Sequence, residues 1–164
     1  MSDQSQNDFI EVCKSFDNAM LVTHDAEGDL VARPMMVAQI EANGDLWFAS
    51  DQNSAKVDEI LSRPEVCVTM AGGGQYASIT GKAEVIKDQS HIDRLWTEPW
   101  RVWFPEGPHD PRIVLIRIHA SAGEFWSNAG ANRIKYLFEA AKAYMTGRRP
   151  SSVDNSQHSR VELD

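Results

Sequence analysis

The chain has 164 residues, a length typical of one domain with a single core, and 42% of its residues are apolar. Its formal net charge of -8 disfavours a nucleic-acid partner, because an acidic surface repels phosphates and no arginine-rich stripe offsets it. No run approaches the roughly 20 apolar residues that span a bilayer, and the acidic residues 1–8 do not resemble a secretory signal, so the sequence predicts a cytoplasmic protein with no membrane partner.

The first elements alternate between helix and strand. Residues 8–16 place apolar side chains at helical spacing and predict a short amphipathic helix. The β-rich segment 19–23 follows and ends in a glycine-containing turn. A second strand, 30–40, is interrupted by Arg33 and Pro34. Because proline cannot donate a ladder hydrogen bond, this point is expected at an edge or a bulge.

The rest of the chain continues with short strands and a few helices. An Asn-Gly turn at 42–45 predicts a hairpin between the second strand and a third at 46–50. Pro64 ends the helix predicted for 51–63. The remaining predicted elements are, in chain order, strands 66–70 and 76–86, an irregular helical segment 91–104 with a loop 105–111, strands 113–118 and 123–127, and a helix 132–145.

This order of elements predicts the fold class and the domain organisation. Meandering strands with a few helices outside them favour an α+β fold around a small antiparallel barrel. Residues 1–147 are expected to form this one domain. Residues 148–164 are polar and lack periodicity, so we expect a disordered tail there.

The segment 50–56 is the first candidate for a binding site. It lies where a strand is followed by a helix, whose first turn offers free N–H groups and the positive end of the helix dipole. Ser54 and Lys56 add a hydroxyl group and a positive charge, so the segment suits a phosphate. The alternative is that Asn53 or Ser54 only caps the helix and that Lys56 is solvated.

Arg33 and a group of aromatic residues are the second and third candidates. If the strand of Arg33 pairs with the strand of Ser50 through the Asn-Gly hairpin, the arginine fork can reach the same phosphate. Otherwise its stem covers apolar surface and its head reaches water. Trp96, Trp100, Trp103 and Phe104 can form a stacking surface for a planar ring, or simply core and interface packing.

Other catalytic and metal motifs are missing from the sequence. The five histidines have no metal-site spacing, and Cys13 and Cys67 have apolar neighbours and no CxxC partner. No nucleophile elbow, phosphate loop or dinucleotide fingerprint occurs. We therefore assign no metal and no catalytic residue, and expect the cysteines to be buried, reduced thiols.

Taken together, the segments resemble those of the FMN-binding split-barrel proteins, and within them the general stress proteins related to pyridoxamine 5'-phosphate oxidase. The resemblance covers about 9–147, and its most specific piece is the Trp-Phe-Pro-Glu-Gly loop at 103–107. The other segments that carry it are 46–50, 54–57 with Pro64, 76–84, 95–96, 110–111 and 124–126.

The resemblance implies a small antiparallel split β-barrel with peripheral helices, which binds FMN at the interface of a homodimer. In such a site Arg33 and its strand would hold the FMN phosphate and flank the flavin, and Trp126 would come from the second subunit. The cofactor-binding residues that it implies are Arg33, Pro34, Met35, Ser50, Ser54, Lys56, Tyr76 and Trp126.

One departure from the family pattern concerns the substrate. True pyridoxamine phosphate oxidases carry an arginine and a histidine, separated by one residue, after the tryptophan of the last strand. Here Arg133 and Lys135 follow Trp126, so lysine stands where histidine is expected. The substrate contacts implied are Trp103, Arg133 and Lys135, and oxidation of a B6 vitamer is not expected.

Three functions stay open at this point. The leading one is a flavoprotein oxidoreductase that acts on an unknown small molecule, with FMN carrying the electron chemistry. The second is a non-enzymatic stress protein that stores, buffers or senses flavin. The third is a split barrel that uses another cofactor, such as a deazaflavin or haem. Haem is disfavoured because no histidine lies in the matching motifs.

Overall fold

The computed structural model describes residues 3–127 and 158–163. The helices are α1 (Asp3–Lys14), α2 (Ala55–Ser62) and α3 (Gln89–Leu95), with short 3-10 helices at Glu98–Val102 and Gly107–His109. The strands are β1 (Asn18–His24), β2 (Leu30–Met36), β3 (Gln39–Ile40), β4 (Leu46–Asp51), β5 (Glu65–Gly72), β6 (Gln75–Ile86), β7 (Ile113–Ser127) and β8 (His158–Glu162).

These strands form one antiparallel sheet in the order β2-β1-β5-β6-β7-β4-β3, and β8 pairs with β7. The long β7 pairs with β6 along one edge, and with β4 and then β8 along the other. Although β2 and β4 lie near opposite ends of this order, they contact each other. The sheet therefore curls into an open antiparallel barrel, and the predicted α+β split-barrel fold is confirmed.

The core lies on the inner face of the curled sheet, where α1 packs. Phe9 and Cys13 of α1 are fully buried there, and burial raises the pKa of the Cys13 thiol to about 12, as expected for an inert thiol. Gly123 of β7 lies beneath Phe9, and a Cβ at this glycine would lie 2.3 Å from the Phe9 Cζ. Only glycine allows α1 to approach the sheet this closely. Cys67, by contrast, is only half-buried.

The pairing of the second predicted strand differs from the expectation. The segment 30–40 is divided into β2, which pairs with β1 over its whole length, and the two-residue β3, which alone pairs with β4. The strand of Arg33 is therefore not a hydrogen-bonded neighbour of the strand of Ser50. The change of partner comes after Val37: the Val37 amide still donates to the Asp17 carbonyl beside β1, whereas the next amide, at Ala38, donates to the Trp47 carbonyl of β4. The expected edge position of Arg33 and Pro34 is correct, since β2 ends the strand order.

The predicted disordered tail also needs correction for the residues that the structure describes. Residues 158–162 form β8, and Val161 and Leu163 are buried in the main core. Two apolar side chains at alternate positions are enough for a short strand that covers a core edge. The strands predicted at 113–118 and 123–127 are one strand, β7. The helix predicted at 132–145 lies outside the described residues.

Within residues 3–127 and 158–163, no helix is long and apolar enough to cross a membrane. The same ranges contain no group of three or more His, Cys, Asp or Glu side chains that could hold a metal ion.

Candidate functional site

A cavity of about 480 Å³ opens where β2 and β4 approach each other, and its size is within the range of small-molecule sites. Its walls come from β2, β4, the start of α2 and the 3-10 helix after α3. The lining residues are Asn18, Arg33, Pro34, Met35, Met36, Ala49, Ser50, Asp51, Lys56, Trp100, Trp103 and Phe104.

One end of the cavity is formed by hydroxyl groups and a lysine at the N-terminus of α2. Ser54 occupies the N-cap position, but its side chain makes no capping hydrogen bond. Its Oγ instead lies 3.1 Å from the Oγ of the buried Ser50, and the Lys56 Nζ donates to the same Ser50 oxygen over 3.4 Å. Two hydroxyl groups, an ammonium and the first turn of a helix therefore meet at one point.

Lys56 is half-buried, and this changes its proton affinity. Burial and the nearby Arg33 guanidinium lower the pKa of the Lys56 ammonium, while the carboxylates of Asp51 and Glu59 oppose that shift. A second cation close to a partly desolvated ammonium is unfavourable unless an anion lies between them or beside them. Asp51 and Glu59 are such anions, and an anionic ligand in the cavity would add to them.

Arg33 faces Lys56 from β2 and is held by two side chains. Its Nη2 donates to Glu59 Oε2 over 2.8 Å, and its Nη1 donates to the Thr23 hydroxyl. The side chains of Arg33 and Glu59 are 21% and 13% exposed. The guanidinium is thus fixed at the cavity wall, with donors left over because it has five N–H groups and two are engaged here.

Aromatic side chains form the other wall. Trp100 and Phe104 are buried, whereas Trp103 is 71% exposed at the mouth of the cavity. The loop behind them is fixed by Arg112, which donates to both carboxylate oxygens of the buried Asp110 and, over 3.4 Å, to the Trp103 carbonyl. Hydrogen bonds from Arg112 hold the pKa of Asp110 at about 2. An exposed indole held in this way offers a flat apolar face to a ring.

The cavity brings most of the sequence-predicted residues together. Eight of them line it directly: Arg33, Pro34, Met35, Ser50, Lys56, Trp100, Trp103 and Phe104. Ser54 is in contact through Ser50. Arg33 and Ser50 meet across the opening of the barrel and not as neighbours in a hairpin. Arg133 and Lys135 lie outside the described residues.

Tyr76 and Trp126 do not line this cavity. They are direct partners on β6 and β7, and Tyr76 is 49% exposed. Residues directly opposite each other on paired strands share a face of the sheet. Pro34 is opposite Met20, Met20 is opposite Thr69, and Thr69 is opposite Ser78, which lies two residues after Tyr76. Side chains two residues apart share a face. Tyr76 and Trp126 therefore point away from the barrel interior on the face that carries Pro34.

Sequence reasoning did not identify Thr23 and Glu59, which hold Arg33. A signal for Glu59 exists, because it lies three residues after Lys56 and next to the buried Ile60, so it faces partly inward on the predicted helix. No sequence pattern distinguishes Thr23 from an ordinary residue of the predicted strand 19–23.

A larger cavity, of about 700 Å³, contains none of the predicted site residues. It lies against β1, β5, β6 and β7, and its lining includes Val22, Leu30, Cys67 and Leu163. His24 is also in this lining, and its Nδ1 is buried without a hydrogen-bond partner among the described residues. Its described lining contains no cation pair comparable to Arg33 and Lys56, so volume alone does not make it the candidate site.

Comparison with known proteins adds to this geometry. The family model for pyridoxamine 5'-phosphate oxidase-like proteins matches residues 4–151. No curated protein matches the chain in sequence.

Solved structures with the same fold are numerous. The general stress FMN/FAD binding protein of Xanthomonas citri is 28% identical, with 79% of this chain and 93% of that chain covered and a TM-score of 0.68. A protein of Xanthomonas campestris pv. campestris described as a general stress family protein is also 28% identical, covering 80% and 93%, with a TM-score of 0.66. A Jannaschia sp. CCS1 protein described as general stress protein 26 is 24% identical, covers 99% of each chain and has a TM-score of 0.73, a likeness in fold.

Proposed function

The chain belongs to the pyridoxamine 5'-phosphate oxidase-like family, in its general stress protein subgroup, and from this we propose that it is a flavoprotein that binds FMN in the cavity between β2 and β4. The observation that carries the proposal is the meeting of Lys56, Ser50 and Ser54 at the start of α2, opposite Arg33. Two cations, two hydroxyl groups and a helix N-terminus are the donors that a phosphate monoester requires.

The remaining lining fits the rest of such a ligand. Trp100, Phe104 and Met35 give an apolar wall, and the exposed Trp103 offers a stacking face at the mouth. In this arrangement Pro34 and Met35 of β2 would hold the flavin from one side. FMN, when bound, supplies the electron transfer, and the protein supplies binding, orientation and electrostatics. We propose an oxidoreductase acting on a small substrate that enters past Trp103, with Arg133 and Lys135 as further substrate contacts.

We further propose that the protein is a homodimer in which the second subunit completes the site. The outer face of the sheet carries large apolar side chains that are exposed to water in a single chain. Their exposed fractions are 39% for Met20, 69% for Leu30, 42% for Met36 and 49% for Tyr76. Such a patch is typical of an interface. Because Pro34 and Met36 of this face also line the cavity, a second copy would bring its own Tyr76 or Trp126 close to the ligand.

The test of flavin binding is the absorption spectrum of freshly purified protein. We expect flavin bands, and we expect the ligand released by denaturation to be FMN when it is identified by mass. Release of FAD would correct the cofactor, and a protein that cannot be loaded with any flavin would overturn the proposal. Stopped-flow reduction by nicotinamide nucleotides then tests the oxidoreductase activity.

The dimer is tested by sedimentation of the flavin-loaded protein. We expect twice the mass of the chain, because burying the apolar face and completing the site favour the same assembly. A monomer that retains one FMN per chain would contradict the interface site.

The protein is expected not to oxidise pyridoxine or pyridoxamine 5'-phosphate. Lys135 stands where the related oxidases have the histidine that binds this substrate, and a charged lysine cannot accept a hydrogen bond. An oxidase assay with either vitamer should give a rate far below the typical enzyme turnover of about 1–10³ per second. Turnover within that range would show that the site is a B6 oxidase.

A further inference from the structure

We infer that Glu59, together with Thr23, is a positioning residue that fixes the Arg33 guanidinium at the cavity and so sets the preference for a phosphorylated flavin. The inference rests on the proposed function, because it concerns the same cavity and its phosphate ligand. It adds two residues that contribute no atom to the cavity wall and act through a third.

The contacts of the three side chains carry the inference. Glu59 Oε2 accepts both from Arg33 Nη2 over 2.8 Å and from the Thr23 hydroxyl over 2.5 Å. The same Thr23 oxygen accepts from Arg33 Nη1. Thr23 is fully buried and Glu59 nearly so, which means that this closed set of three hydrogen bonds is largely shielded from water.

The position of Glu59 on α2 links the two cations. Glu59 follows Lys56 by one helical turn, so the carboxylate that fixes Arg33 belongs to the same helix as the lysine of the phosphate site. Any movement of α2 would move both contacts together. Glu59 therefore couples the position of the Arg33 guanidinium, on β2, to that of Lys56, on α2.

Electrostatic attraction alone does not explain why a carboxylate, that of Glu59, lies beside the proposed phosphate site. A carboxylate beside a phosphate site opposes the binding of a second anion, and Glu59 partly neutralises the cation that the site uses. Its contribution must be geometric. A free arginine side chain loses much rotamer freedom when it binds an anion, whereas one that is already held loses little.

Two substitutions of Glu59 are expected to differ in their effect on FMN binding. Glu59→Ala removes the acceptor, so Arg33 is released and FMN affinity should fall about tenfold, the cost of ordering a long side chain and losing part of its hydrogen bonding. Riboflavin has no phosphate, so its affinity should stay within about twofold, close to the measurement error of such titrations. Glu59→Gln keeps an acceptor oxygen and should restore FMN affinity to within about threefold of the wild-type value.

The experiment is a titration of the full-length variants with FMN and with riboflavin, read as the ratio of the two affinities. Asp58→Ala is the matched control, because it removes one negative charge from an exposed position of the same helix without contacting Arg33. We expect its ratio to equal the wild-type ratio. An unchanged ratio for Glu59→Ala, or a Glu59→Gln variant as weak as the alanine variant, would overturn the inference.

A second variant and the wild-type preference for FMN cover the remaining outcomes. If Glu59→Ala does not fold, Thr23→Val decides, because valine keeps the shape and removes the hydroxyl that bonds both partners; a drop in the FMN-to-riboflavin ratio supports the inference, and an unchanged ratio rejects it. If the wild-type protein itself binds FMN no better than riboflavin, the proposed phosphate site fails. If the wild type prefers FMN and the variants keep that preference, only the role of Glu59 fails.

Discussion

Replacing Lys56 by alanine is expected to weaken FMN binding by about 10–100-fold while leaving riboflavin binding almost unchanged. One charge-assisted hydrogen bond to a phosphate contributes about 1.5–3 kcal/mol, and each 1.4 kcal/mol is a factor of ten in affinity. We expect Lys56 to make this bond, because its Nζ contacts the Ser50 hydroxyl, which also contacts Ser54 at the start of α2. Riboflavin lacks the phosphate and does not use this contact.

The environment of Lys56 adds a dependence on pH. Burial and Arg33 lower the pKa of the ammonium, so without a ligand the charge is lost at a lower pH than for a solvated lysine. A bound phosphate favours the charged form and raises this pKa again. FMN affinity should therefore decrease as the pH rises through the lowered pKa, and this decrease should disappear in Lys56→Ala.

Two controls make the Lys56 experiment specific. Lys14→Ala removes an equal charge from α1, where the lysine is 49% exposed and paired with Glu11 of its own helix, so FMN affinity should not change. Lys56→Arg keeps the charge and should retain most of the affinity. Equal losses for FMN and riboflavin would mean that the substitution damages the ring pocket. No loss for either ligand would remove Lys56 from the site.

The local part of the fold could be predicted from the sequence because it depends on short-range patterns. Apolar periodicity, the Asn-Gly turn and Pro64 locate most strands and α2 to within a few residues. The pairing of β2 could not be obtained in this way. A hairpin signal specifies the two residues next to the turn, and the choice between β1 and β4 as partner depends on how the whole sheet curls.

The candidate site divides in the same way. Ser50, Ser54 and Lys56 lie within seven residues, so their spacing already indicates that they meet. Arg33 joins them only because the two ends of the sheet approach, and Glu59 is revealed only by its contact with Arg33. Tyr76 and Trp126 lie on the outer face of the same chain, and their role depends on a second copy that no single sequence pattern describes.

The end of the chain shows where composition misleads. Residues 148–164 have few apolar side chains, and a low apolar fraction favours disorder when it is averaged over a segment. Val161 and Leu163 alternate with polar residues, which is the pattern of a strand with one buried face, but five residues are too few to stand out from the polar residues around them. Only the free edge of β7 beside β4 makes β8 a favourable partner.

Replacing Leu163 by alanine is therefore expected to lower the free energy of unfolding by about 2–5 kcal/mol, the range for a buried leucine. Leu163 is 1% exposed, its amide donates to the Ser121 carbonyl over 2.9 Å, and a Cβ on Gly44 would lie 2.9 Å from its Cδ1. It packs beside the β3–β4 hairpin and also lines the larger cavity, so truncating its side chain enlarges a space that is already present and the core cannot easily close over it. For a protein of this size the melting temperature should fall by roughly 4–20 °C.

Ending the chain after residue 157 should have a still larger effect, because it removes Val161 as well as Leu163 and leaves the second edge of β7 unpaired from Ala122 to Trp126. The summed loss of stability approaches the total stability of a typical domain, about 5–15 kcal/mol.

Glu162→Ala is the matched control, since this side chain is 60% exposed on the same strand and should change stability by no more than about 0.5 kcal/mol. Thermal unfolding of Leu163→Ala, the truncated chain and Glu162→Ala, measured beside the wild type, shows whether this segment is a disordered tail or a strand of the core. A truncated protein that melts with the full-length chain would mean that β8 adds nothing to the core. If it melts much lower, the segment that composition marks as a tail is an integral strand, and it supports the half of β7 that carries Trp126.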